Sequence, residues 1–343
     1  MRTKSFVARA ALALTVALVG LVSASVTSLT LAQGGRPGQP NLSPEEQTIV
    51  KAIMTAPDPV AKLKAVEVFI KKYPKTTIRE RVAREAANQI ADVKDAAQKV
   101  TLAQQYQAIF KEPSEQQMIM PALIDGLAGA NRSDEAFSAG AEFLTHNPDA
   151  LPVLVELMSV GTDQAKLKNP KFIPQSLQYG AHAIELMEAD KKPGEIDDAG
   201  WKKFKGSVLP NCYQSMGVLN FVKGDRSEAK ARLRKAAELA PADSFNYLLL
   251  SDILDQEYQD AAKQYKSMPD DPARDEELKK VLASLDQVID AYAHAIALAE
   301  GNESLAPVRQ QYLHYLESYY KYRHNNSTAG MQQLIDKYKV PAK

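Results

Sequence analysis

Five histidines, one cysteine and several paired acids are the side chains here with the chemistry to bind a metal or move a proton. A zinc site needs three or four ligands converging at about 2 Å. His146, His182, His294, His314 and His324 show no His-Glu-x-x-His run, and Cys212 has no partner cysteine. His182 with Glu185, and His314 with Glu317, stand three residues apart. A two-metal carboxylate site in a helical bundle needs the reverse order, Glu before His, with further inward glutamates. Both pairs therefore read as neighbours on a helix surface, and no metal or other cofactor is expected. The acid pairs Glu45–Glu46, Asp197–Asp198, Asp270–Asp271 and Asp275–Glu276 fall near expected helix starts. There a carboxylate meets the positive end of the helix dipole. A glycosidase would need two opposed carboxylates in an aromatic-lined cleft, and the chain has a single tryptophan. Phosphate loops, nucleophile elbows and Cys–His pairs are also missing from the sequence, so no catalysis is expected.

Cys212 lies on a segment expected to pack, where a free cysteine is an inert small hydrophobe; a redox or intermolecular thiol is the other reading. The most unusual composition is QYLHYLESYYKYRHNN, residues 311–326. Tyr312, Tyr315, Tyr319 and Tyr322 share one helical face. They read either as core and rim tyrosines or as an aromatic platform for a peptide, with Arg323 beside it to take a carboxylate.

These residues belong to an exported chain by the look of its start. Arg2 and Lys4 precede an apolar run from Phe6 to Val22, and Thr30 and Ala32 suit the −3 and −1 positions of a cleavage site. Residues 1–32 thus read as a signal peptide, with a cut after Ala24 or an uncleaved anchor as alternatives. The anchor is disfavoured by a run near the short limit for spanning and by Arg9 within it, so no stable membrane span is expected after processing. No cysteine lies near the site to carry a lipid. The expected destination is periplasmic or secreted. Removing Arg2, Lys4 and Arg9 leaves thirty-nine basic against forty-two acidic residues, a balance that offers nucleic acid no basic face. With one cysteine there is no internal disulfide, so stability rests on the core.

Residues 33–43 open with QGGRPGQPN and read as a flexible leader. From Ser43 onwards the pattern is amphipathic helix. Ser43, Pro44 and Glu46 form an N-terminal capping signature, and no sustained period-two alternation argues for strands. Units close at Pro74, Pro113 and Pro148, and residues 151–188 supply a fourth pair. In the third unit Gly140 and Phe143 replace the usual bulky and small residues. The clearest unit is 210–241. Tyr213, Met216 and Gly217 open it, and Ala229, Leu233, Ala236 and Pro241 follow at a 34-residue spacing. Gly217 would let a partner helix approach, the alanines are small where helices cross, and Pro241 stops the second helix. Two longer arms follow at 244–299, broken by Pro269 and Pro272, and a last pair at 305–338. Polar insertions at 189–200 and 268–274 read as surface loops or as partner-contacting loops.

Residues 210–241 resemble a tetratricopeptide repeat (TPR). The resemblance implies an all-α, right-handed superhelical solenoid over 44–343, with about seven helix-turn-helix pairs and a concave protein-binding surface. Its core face would take Tyr213, Met216, Gly217 and Asn220. The concave face would present Asn211, Gln214, Val218 and Phe221, and the same offsets in the next pair give Phe245, Leu248, Asp252 and Asp255. The implied function is a scaffold for a protein or peptide partner. An all-helical carbohydrate-capture protein and a paired-helix, glycosidase-like enzyme are the alternatives, the last requiring acids that converge in a deep pocket.

Overall fold

The computed structural model describes residues 42–339 except 195 and 271. The expected signal peptide, most of the leader and Asp271 lie outside the described residues. Among those described, every regular element is helical, and fourteen α-helices follow one another along the chain. They form two compact units, the chain passing between them at 160/161, 188/189 and 200/201.

The first unit comprises 42–160 with 189–200. Its helices are α1 (Pro44–Thr55), α2 (Pro59–Lys72), α3 (Arg79–Ala91), α4 (Ala96–Ile109), α5 (Pro113–Gly129), α6 (Ser133–His146) and the first part of α7 (Leu151–Lys166). The capping signature at α1 forms: Glu46 N donates to Ser43 Oγ at 3.2 Å, and Ser43 N donates to Glu46 Oε2 at 2.9 Å. The Asp58 and Asp95 side chains cap α2 and α4 by accepting from Ala61 N and Gln98 N. Pro59 and Pro113 sit at helix starts, where a missing N–H removes no intrahelical bond. Gly140 is a packing device: a Cβ there would lie 2.7 Å from Leu157 Cδ1. The departure from the usual residue type at this position is explained by the leucine that fills it.

The second unit comprises 161–188 with the described residues from 201 onwards. It holds the end of α7, then α8 (Ile173–Glu188), α9 (Asp198–Lys223, from its second turn), α10 (Arg226–Leu239), α11 (Ser244–Lys266), α12 (Pro272–Leu298), α13 (Ala306–Arg323) and α14 (Met331–Asp336). Gly217 on α9 faces Leu233 on α10, and a Cβ at 217 would lie 2.6 Å from Leu233 Cγ. Val218, Ala229, Leu233, Leu249, Leu250 and Ile253 form one buried cluster there. A larger cluster joins Leu248 with Leu285, Val288, Tyr292 and Ile296 of α12 and Tyr312 and Leu316 of α13.

The structure alters several sequence-based boundaries. α9 begins at Asp198 and continues through Pro210, so the first helix of the clearest repeat is extended at its N-terminal end. Proline costs one i to i−4 bond in such a helix interior; the buried Trp201, Val208, Leu209 and Pro210 of this added segment hold it in place. α14, of six residues, is shorter than the second arm expected of the last pair at 305–338. The long hairpin at 244–299 is present, with α11 about 35 Å long at 1.5 Å per residue. Among the described residues α12 is the one helix long and apolar enough to cross a membrane, and half of that apolar window is buried, with Leu285, Val288, Tyr292 and Ile296 in the core cluster shared with α13.

Candidate functional site: a carboxylate and tyrosine cluster

The structure gathers one group of titratable side chains that the expected chemistry did not anticipate as a unit. Asp243 caps the start of α11, its Oδ1 accepting from Phe245 N at 3.0 Å. Asp252 and Asp255 stand three residues apart further along, so they share a face. Across from them α12 brings Tyr292 and α13 brings Tyr312 and Tyr319. Tyr312 donates to Asp252 Oδ1 at 2.6 Å and lies 3.3 Å from the Leu248 carbonyl. Tyr292 donates to Asp255 Oδ2 at 2.8 Å, and Tyr319 to Asp255 Oδ1 at 2.6 Å. Gln259 reaches the Tyr319 hydroxyl at 2.5 Å. The rings pack on each other: Tyr292 and Tyr312 meet edge to face at 4.9 Å, as do Tyr258 and Tyr319 at 5.5 Å.

Electrostatics separate the two acids. Asp255 has both oxygens occupied. Asp252 Oδ2 is shut from solvent and has no hydrogen-bond partner among the described residues. Burial raises the Asp252 carboxyl to about 7, with the Asp255 charge adding to the rise and the Tyr312 hydrogen bond opposing it. Burial likewise pushes the Tyr292, Tyr312 and Tyr319 phenols up. A carboxyl poised near neutrality is the type of group that performs general acid–base work. Here, however, its unpaired oxygen faces protein rather than solvent.

A second acidic place is open. A cleft of about 420 Å³ is lined by Asp286, Ile289 and Asp290 of α12, Tyr320 and His324 near the end of α13, and Gly330 and Leu334 by α14. Its carboxylates are engaged: Arg323 grips Asp286 through Nε at 2.8 Å and Nη2 at 3.1 Å, while Asp290 accepts from the Tyr338 hydroxyl. Tyr320 stacks on His324 at 3.9 Å. Nearby, His294 lies between Tyr247 at 3.7 Å and Tyr338 at 4.1 Å, and burial lowers its pKa against the pull of Asp290.

The sequence-predicted contact residues scatter. Asn211 is half-buried. Gln214 is half-buried too, and its amide donates to Asp243 Oδ2 at 2.7 Å and Asn246 Oδ1 at 3.0 Å. Phe221 and Phe245 are half-buried and pack on the cluster around Leu233. Val218 and Leu248 must be corrected: at 2% and 0% exposure they are core residues, because their apolar faces are covered by the neighbouring helices. Asp252 and Asp255 are also removed from an open groove, since tyrosines close over them. Of the supposed platform, Tyr312 is buried, Tyr315 and Tyr319 are half-buried, and only Tyr322 is largely exposed. Arg323 already holds Asp286 rather than awaiting a ligand carboxylate.

Sequence reasoning missed Tyr292 as a cluster member. It stands on the apolar stripe of α12, where its spacing reads as core, and the hydroxyl gives no signal of its destination. Cys212 is fully buried, and desolvation lifts its thiol to about 12. Among the described residues no three His, Cys, Asp or Glu side chains are placed to hold a metal ion. No protein-family model matches this chain, and no curated protein matches it.

Proposed function

We propose that the chain is an exported scaffold of TPR-like helix pairs that holds a protein or peptide segment and catalyses nothing. The observation that supports this best is the close contact of Gly217 with Leu233. It lies at the position where the 34-residue pattern asks for a small residue, with Ala229 and Ala236 buried beside it. Helix pairs of this kind stack and leave one face of each first helix for partners.

With Val218, Leu248, Asp252 and Asp255 withdrawn, the contact set contracts to Asn211, Gln214, Phe221 and Phe245. Phe221 is the apolar anchor of choice, since it is half-buried rather than enclosed. The test is to select binding peptides with the chain lacking residues 1–32, then to measure affinity and melting for Phe221→Ala. Binding weakened by more than ~1 kcal/mol with helicity retained supports the reading. Lower stability with undiminished affinity of the folded fraction removes Phe221 from the contact surface. Binding to a glycan array without peptide binding would favour the carbohydrate-capture alternative.

A further inference from the structure

Asp252 is half-buried, but its Oδ2 is shut from solvent and has no hydrogen-bond partner among the described residues. Tyr312 of α13 donates to its Oδ1, the Asp255 charge on its own helix acts on it, and Tyr292 of α12, which bonds Asp255, lies close enough to feel both carboxylates. None is a cation. The basic residues that α10 sends toward α11 are committed elsewhere: Arg226 to Asp260 at 2.5 Å and Lys230 to Glu257 at 2.7 Å. An ionised Asp252 would therefore keep one charged oxygen shut from solvent and without a partner among the described residues, next to a second carboxylate. A buried charge in that position is strongly unfavourable. A neutral Asp252 still accepts from Tyr312 and carries no such penalty.

We propose that the Asp252–Tyr312 contact is a proton-dependent clasp between α11 and α13: with Asp252 protonated it is buried without penalty, and on ionisation the uncompensated charge at Oδ2 strains the contact even though Tyr312 then donates a stronger hydrogen bond. The second unit then tightens as its surroundings pass from mildly alkaline to mildly acidic. The direction follows from linkage. In the unfolded chain the carboxyl titrates near 3.8, whereas in the fold it titrates near 7. Between those values the folded state holds a proton that the unfolded state has released. The stabilising effect is complete below about 4 and is lost as pH rises through about 7. His294 acts with the opposite sign: its folded pKa is lowered, so it destabilises the fold as pH falls and cannot produce this trend.

The experiment is urea unfolding of the full chain and of Asp252→Asn at several values between pH 5 and 8, read by tyrosine fluorescence and by amide hydrogen exchange of α11 and α13. Asn keeps an acceptor for Tyr312 and removes the titration. The unfolding constant of the unsubstituted chain should rise with pH by up to ~10-fold per unit relative to the variant. Amides of α11 and α13 should lose protection in the same window only in the unsubstituted chain. Should Asp252→Asn fail to fold, the carboxyl resonance of Asp252 in the unsubstituted chain decides: a midpoint near 7 upholds the clasp, and a midpoint near 4 overturns it. Equal pH slopes for the two proteins also overturn it.

Discussion

Gly217 and Leu233 show how a single missing side chain sets a helix crossing. Any Cβ at 217 would fall within 2.6–2.8 Å of Leu233 atoms, closer than packed carbons tolerate. Leu233 is itself fully buried and has little room to move. Gly217→Leu should therefore overpack the site and cost about 1–3 kcal/mol, measured by chemical denaturation. Gly217→Ala is the sharper case, because it gains about 1 kcal/mol of helix propensity while meeting the same obstruction; a net gain in stability would show that Leu233 yields. Cys212 makes a separate residue-scale prediction. Its thiol is buried and raised to about 12, and the thiolate is the reactive form. Iodoacetamide at pH 8 should leave the folded protein unmodified and label it in denaturant. Rapid labelling of folded protein would revive the redox reading.

At the scale of elements, α3 and α5 are strapped by Arg79 and Glu115. The guanidinium reaches Glu115 Oε1 from Nε at 2.6 Å and Oε2 from Nη2 at 3.1 Å. Glu115 also takes the Glu112 N–H at the start of α5 at 3.2 Å. The side chains are 23% exposed for Arg79 and 5% for Glu115, and this asymmetry decides the prediction. Arg79→Ala strands a buried carboxylate and should cost about 3–5 kcal/mol. Glu115→Gln leaves an arginine that can turn to water, so it should cost less at neutral pH. Urea unfolding of the two variants gives the order, and an Arg79→Ala no weaker than Glu115→Gln would refute the burial argument. Surface pairs such as Lys71 with Glu67, at 75% and 43% exposure, should contribute little by comparison.

At the scale of the whole molecule, export is the open proposition. It rests on the order basic, apolar, small in residues 1–32. Mass spectrometry of the protein recovered outside the cytoplasm of its native host should find an N-terminus near Gln33 or Ser25. An intact Met1 there would refute cleavage. How much of the fold was legible in the sequence depended on where the information is local. Helix content, caps at Ser43, and the breaks near Pro241 and Pro269 follow from backbone chemistry within a few residues, so spacing alone revealed them. The small residue at 217 was also legible, since a 34-residue pattern places it opposite a second helix. The destination of hydroxyls and carboxyls was not. Asp252 and Asp255 carry the same offsets as a groove face, and Tyr312 and Tyr319 the same stripe as a platform. Only the packing of α12 and α13 on α11 turned them toward each other, because burial and hydrogen-bond partners come from helices 37 to 64 residues away. The continuity of α9 through Pro210 was decided in the same way: local preference argues for a break there, and the buried face contributed by Trp201, Val208 and Leu209 overrides it.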